Sequence, residues 1–180
     1  MRIKPLETTE EIGGKAYVHC HAWKEAYAGL IDQSFLDGRT EELSRQRAQR
    51  AFENGVSTLV AIDGDRVAGF VDYGGYRWED LKDTGEIYAI YVLKEYYGRG
   101  LGSALMERAL SELEEYRQIA VWVLSGNARA IRFYQRFGYA FDGQTQTVTL
   151  GTPVTELRMI LRRGAEGTFP KRHARTGTDI

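Results

Sequence analysis

The stretch "YYGRGLGSAL", Tyr96 to Leu105, sets three glycines into the five residues from Gly98 to Gly102, between the apolar run Ile87 to Leu93 and the helix-favouring run Ala104 to Leu113. A loop without side chains, directly after a strand and directly before a helix, lets several backbone N–H groups turn toward one point, where the positive end of the helix adds to them. Such a loop is a seat for phosphate, and Ser103 adds a hydroxyl at the first turn. A lone glycine pattern more often only ends a strand and tightens a turn; here the order strand, glycine loop, helix favours the phosphate seat. A Walker loop needs Lys and then Ser or Thr after its last glycine, whereas Gly102 is followed by Ser103 and Ala104, so nucleoside triphosphate hydrolysis is not expected. A dinucleotide fold opens with its glycines after the first strand, and here several strands come first.

Outward from this loop, the chain reads as alternating strands and helices. Met1 to Pro5 is a short strand, and Glu10 to Ala28 a helix with Ile12, Ala16, His19, Trp23 and Tyr27 at helical spacing, ended by Gly29. Glu41 to Glu53 is a second, highly charged helix closed by Asn54-Gly55. Ser57 to Ile62 and Arg66 to Tyr73 form a hairpin around Asp63-Gly64-Asp65. Tyr73 to Gly85 reads as a polar, glycine-bearing loop, Glu86 to Leu93 as a strand, and the helix after the glycines runs to about Glu115. Gln118 to Leu124 is apolar after its first residue, as a strand covered on both faces must be. Asn127 to Phe137 is a helix with Asn127 as N-cap and Gly138 as its stop. Tyr139 to Leu150 and Pro153 to Leu161 make a closing hairpin.

The composition bounds the answer. With 180 residues, 43% of them hydrophobic, the chain suits one domain over residues 1–163, and residues 164–180 read as a flexible tail. A net charge of -1 gives no global attraction to nucleic acid or an anionic membrane, and the short basic run Lys171 to Arg175 lacks interleaved aromatics. The single cysteine, Cys20, excludes a disulfide framework, and His19-Cys20-His21 is no metal spacing, so no metal is expected. No apolar stretch approaches the roughly 20 residues that span a bilayer, and Met1 to Leu6 runs straight into a strand rather than a signal sequence; a soluble, cytoplasmic protein is expected.

Two motifs carry a resemblance. Tyr97 to Gly102 resembles the pyrophosphate loop of the GNAT superfamily of N-acetyltransferases, written Gln or Arg, two residues, Gly, one residue, Gly or Ala. Gly100 and Gly102 match it, and Tyr97 stands where Gln or Arg is usual. "NARAIRFYQRFGY", Asn127 to Tyr139, is similar to the family's second signature, an Asn and a Tyr seven apart ahead of Gly and an aromatic residue. The element order from Met1 to Leu161 is also that of the family. The resemblance implies an α/β fold of α+β type: a mixed, mostly antiparallel central sheet of about six to seven strands flanked by about four helices.

It also implies a site. Acetyl-CoA would be the co-substrate, its pantetheine arm lying between the strands at Glu86 to Leu93 and Gln118 to Leu124 and pairing with the backbone of Ile90, Tyr91 and Val92. Amides of Gly98, Arg99, Gly100, Leu101, Gly102 and Ser103 would hold the pyrophosphate, with Lys94, Arg99 or Arg129 reaching the adenosine phosphates. Asn127 would bond the pantetheine arm and Tyr134 would be the general acid, a phenol of reference pKa about 10 protonating a thiolate of about 8.5. Seven residues are about two helical turns, so both side chains point the same way. As plain structure, Asn127 is an N-cap and Tyr134 a core aromatic.

The acceptor would be a primary amine of a small molecule or peptide, bound by "HCHAWKEAYAGL" and the loop 73–84, with Trp23 and Tyr27 available as an aromatic wall or as helix packing on the sheet. No carboxylate occurs in "VWVLSG", and Glu86, the nearest alternative base, also reads as a solvated strand end. Family members are often dimers, so a homodimer is one assembly state to expect. Two rival functions follow from the same loop: a non-catalytic acyl-CoA-binding module, and a nucleotide-binding interaction protein.

Overall fold

The structure is a computed structural model that describes residues 1–164. Apart from Gly164, the expected tail and its basic run lie outside the described residues. The elements follow in the order β1 (Arg2–Pro5), α1 (Thr9–Tyr27), α2 (Gln33–Asp37), α3 (Glu41–Glu53), β2 (Ser57–Asp63), β3 (Arg66–Gly75), β4 (Thr84–Val92), α4 (Leu101–Glu112), β5 (Gln118–Leu124), α5 (Ala128–Arg136), β6 (Ala140–Leu150) and β7 (Thr152–Arg162), with a 3-10 turn at Lys94–Tyr96. The strands form one seven-stranded sheet, ordered β1-β2-β3-β4-β5-β7-β6. Every neighbouring pair is antiparallel except β4 and β5, which run parallel.

Local chemistry explains most boundaries. Thr8 opens α1 with a capping box, its hydroxyl accepting from the Glu11 amide while Glu11 returns the bond. Asp32 caps α2 and Gly38 ends it; five residues are too few to show a helical period, which is why this helix is absent from the sequence reading. The sequence loop at 73–85 keeps its middle, residues 76–83, outside the sheet but is strand at both ends: Tyr73, Gly74 and Gly75 pair with Ile87, Glu86 and Gly85, and ladder partners override a glycine-rich composition. Helix α4 begins at Leu101, so Gly102 and Ser103 lie in its first turn.

The sheet buries both faces. On one, α4 presents Leu101, Leu105, Met106, Ala109, Leu110 and Leu113 at helical spacing against Leu59, Ala61, Val71, Ile87, Ile119, Val121 and Met159. Each such Leu contributes about 1.5–3 kcal/mol by leaving water. On the other, α1 sets Ile12, Ala16 and Ala22 against Val60, Ile62, Val67 and Phe70. Lys15 is buried there, its ammonium 2.6 Å from Asp72 and donating to Thr58, which in turn donates to Asp72. A third cluster joins Trp23, Ile31, Leu36 and Leu124 to Tyr27, Phe35, Tyr91, Leu150 and Val154, and it lies where the parallel pair opens.

Candidate active site

The parallel pair is the feature on which the site is built. Strands β4 and β5 pair over Thr84 to Ile87 and Gln118 to Val121, then stop pairing, although β4 continues to Val92 and β5 to Leu124. Near the opening the register with β3 slips: Asp72 faces Ala89 and Tyr73 faces Ile87, so Tyr88 is an extra residue in β4. Beyond it, Ile90, Tyr91 and Val92 bond to β3 on one side only, which leaves a strand edge open to a peptide-like ligand.

Each of the two strands leads into a helix N-terminus at this opening. Gly98 and Gly100 hold φ of 73° and 80°, a left-handed conformation that suits glycine, and Gly100 is the N-cap of α4. The first helical acceptor is used by Ala104, whose amide bonds to Gly100 O at 3.0 Å, so the amides of Leu101 and Gly102 precede the helical ladder and have no acceptor in the described chain. The Arg99 amide is turned back to Tyr96 O at 3.3 Å, and its guanidinium lies over the Tyr96 ring. Of the other cations, Lys94 pairs with Glu25 at 2.8 Å, while the Arg129 guanidinium sits 3.6 Å from the centre of the Tyr97 ring.

At the second N-terminus Asn127 is the cap of α5, its side-chain oxygen accepting from the Ala130 amide at 3.0 Å. That leaves its NH2 group to donate. Two turns on, Tyr134 is 6% exposed, between Phe133 and Tyr139. Its hydroxyl makes no hydrogen bond among the described residues. Burial, with a smaller contribution from the nearby Tyr27 phenol, raises its pKa well above the ordinary tyrosine range.

The opposite wall combines side chains from many elements. The Tyr27 and Tyr91 hydroxyls are 3.0 Å apart, and burial pushes both phenols up. Trp23 is 5% exposed and packs edge-on to Tyr27, which is the packing role of its two sequence readings. Arg39 stacks 3.9 Å above Trp23, buried, and among the described residues it has no carboxylate partner and one of its terminal nitrogens is unpaired. Its guanidinium pKa is lowered by burial and then by Arg47. Burial first, then Arg39, Lys15 and Arg47, pushes His19 down to about 3.

Glu86 corrects its sequence reading as a solvated strand end. It is fully buried, and Arg77 holds it with guanidinium bonds of 2.6 and 3.1 Å. Arg158 likewise gathers Asp80, Asp142 and Tyr76. The Tyr91 side chain, Arg39 and Glu156 were missed from sequence; the last of these has a readable signal, since it alternates with Val154 and Arg158 on one face of β7. Among the described residues no group of three or more His, Cys, Asp or Glu could hold a metal, and no helix is long and apolar enough to cross a membrane.

A mixed sheet opening at its one parallel pair, with helix N-termini on both lips, defines a class: enzymes that take the acetyl group of acetyl-CoA. The chain belongs to the acetyltransferase (GNAT) family, whose profile matches residues 21–139. It is 38% identical over 114 residues to an uncharacterized N-acetyltransferase of Archaeoglobus fulgidus, covering 61% of this chain and 76% of that one. It is 35% identical over 132 residues to an L-methionine sulfoximine/L-methionine sulfone acetyltransferase of Pseudomonas aeruginosa, covering 70% and 69%. Among solved structures, the PaiA N-acetyltransferase of Thermoplasma acidophilum in complex with coenzyme A shares the fold with a TM-score of 0.65 at 17% identity, over 87% of this chain and 98% of that one. The residues present fit acetyl-CoA: left-handed glycines open to solvent, amides without acceptors and an unpaired strand edge.

Proposed function

We propose that this enzyme acetylates a primary amine of a small molecule, with Tyr134 as general acid. The amides of Gly98, Gly100, Leu101, Gly102 and Ser103 would hold the diphosphate, Arg129 would add a cation there, and Asn127 with the edge of Ile90 to Val92 would bind the pantetheine arm. The observation that carries the reading is the opening of β4 from β5 between two helix N-termini, with an unpartnered buried phenol on the second helix. That the Pseudomonas relative is named for amino-acid analogues supports a small amine over a protein.

When bound, acetyl-CoA supplies an activated acyl carbon and a thiolate leaving group. Tyr134, kept protonated by its burial, has a proton to donate at any working pH. The dry surroundings that raise the phenol also raise a thiolate, so the proton transfer is less uphill than the phenol's shift alone suggests.

The test is Tyr134→Phe, read as release of coenzyme A thiol with a panel of small primary amines and as coenzyme A affinity by calorimetry. Turnover should fall about 10²- to 10⁴-fold with affinity retained. Equal turnover removes Tyr134 from the chemistry. Tight binding by the wild type with no thiol release on any amine favours a non-catalytic acyl-CoA-binding module instead.

A further inference from the structure

Of the carboxylates Glu86, Asp80, Asp142 and Glu156, three are held by arginines: Glu86 by Arg77, and Asp80 and Asp142 by Arg158. The fourth, Glu156, is partly buried and pairs with no Lys, Arg or His among the described residues. Among the described residues its carboxylate is given one hydrogen bond, from Gln146 Nε2, directly across the β6–β7 ladder, to Oε2 at 2.7 Å. In the other direction Glu156 stands opposite Leu124 on β5, at the end of the strand that splays from β4. Leu124 and Val154, its neighbours on that face, pack with Tyr27, Tyr91 and Trp23. Its charge is felt by Tyr27 of α1 and by Arg77 of the β3–β4 loop, so it faces the same volume as both.

A carboxylate without a salt bridge, beside aromatic rings, is the chemistry that recognises an ammonium: a charge-assisted hydrogen bond on one side and ring faces on the others. We propose that Glu156 receives the acceptor's ammonium and takes its first proton. This rests on the acetyl-transfer reading above. The ammonium nitrogen gives one proton to the carboxylate, and the freed lone pair forms the C–N bond at the acyl carbon. The C–S bond breaks, the sulfur takes the Tyr134 proton, and the nitrogen's second proton restores Tyr134. The balance is amide, free thiol and one proton released from Glu156 to water.

The acceptor site can be probed without turnover. Calorimetry at pH 7 compares n-hexylammonium with the neutral n-hexanol on wild type, Glu156→Gln and Glu156→Asp, each with and without coenzyme A. Wild type should prefer the ammonium by tenfold or more, Glu156→Gln should lose that preference, and Glu156→Asp, which keeps the charge, should retain part of it. Coenzyme A affinity should be unchanged in both variants. A wild type that takes hexanol as well as hexylammonium overturns the proposal, as does a folded Glu156→Gln with full preference; if that variant does not fold, an Asp variant with none of the preference overturns it. Ammonium preference in a protein that releases no thiol with any amine would keep the site and reject acetyl transfer.

Discussion

Replacing Gly102 with Asp separates the stability of helix α4 from its proposed role as a diphosphate seat, because the two effects have opposite sign. Gly102 is the second residue of α4, and a Cβ built there meets only Phe133 at 3.6 Å and Val92 at 3.7 Å, ordinary contact distances. The fold therefore has room for the side chain. A carboxylate in the first turn interacts favourably with the helix dipole, and any residue other than Pro is a better helix former than Gly; together these are worth about 1 kcal/mol, or roughly 2–4 °C in Tm for a chain of this size. The same carboxylate would confront the diphosphate. Two unit charges about 4 Å apart repel by about 4 kcal/mol at an effective dielectric near 20, and salt at this partly open site reduces that to about half, still about thirtyfold in Kd. The assays are thermal unfolding of the free protein and calorimetric titration with coenzyme A. Gly102→Asn, similar in size and uncharged, should lose far less affinity. A Gly102→Asp protein that melts no lower than wild type yet binds coenzyme A within threefold of it would refute the seat at α4.

Two further outcomes concern the buried charges around Tyr91. His19 titrates near 3 when folded and near 6.5 when unfolded, so the unfolded chain binds more protons between those values and stability falls as pH drops through that window. At pH 5 the loss is about 2 kcal/mol relative to pH 7, and His19→Phe should remove it, seen as a smaller Tm difference between the two pH values. Arg39→Met removes an unpaired buried donor while keeping volume against Trp23; stability should rise by about 1 kcal/mol in denaturant unfolding, and a loss of 2 kcal/mol or more would mean that the guanidinium has a stabilising partner.

The donor half of the site was legible because it is local. In the proposed diphosphate seat Gly98, Gly100 and Gly102 would act through their own backbone, and Asn127 and Tyr134 lie two turns apart at one helix, so spacing along the chain maps directly onto geometry. The acceptor half draws single side chains from α1, the segment after α2, β4, β7 and the β3–β4 loop, and no interval in the sequence links Tyr27 to Tyr91 or Leu124 to Glu156. Glu86 shows how the reading fails. A glutamate at a strand's start looks solvated until β3 is seen to run on to Gly75, which carries Arg77 over the strand and buries the carboxylate. Tyr91 fails for the reverse reason: as a β4 residue it is read for its main chain, but the alternation that turns Ile90 and Val92 to α4 sends its phenol to Tyr27.

Tyr97 is the one departure from the glycine-loop pattern, and its surroundings account for it. Where the pattern has Gln or Arg, this chain has an aromatic ring with Arg129 stacked on it at 3.6 Å, from the first turn of α5. A guanidinium over a ring gains about 0.5–1 kcal/mol at an exposed site, enough to bias where a long side chain rests. The stack brings a cation from the other motif to the position where the pattern has Gln or Arg, and Arg129 has no ion-pair partner among the described residues. Tyr97 and Arg129 then act as a pair: losing the ring frees the cation to move, and losing the cation leaves the ring with nothing to orient. Substituting either should weaken coenzyme A binding, and the double variant should cost less than the sum of the two singles, because contacting residues couple. Full additivity in that cycle would mean that the stack does no more than cover the loop.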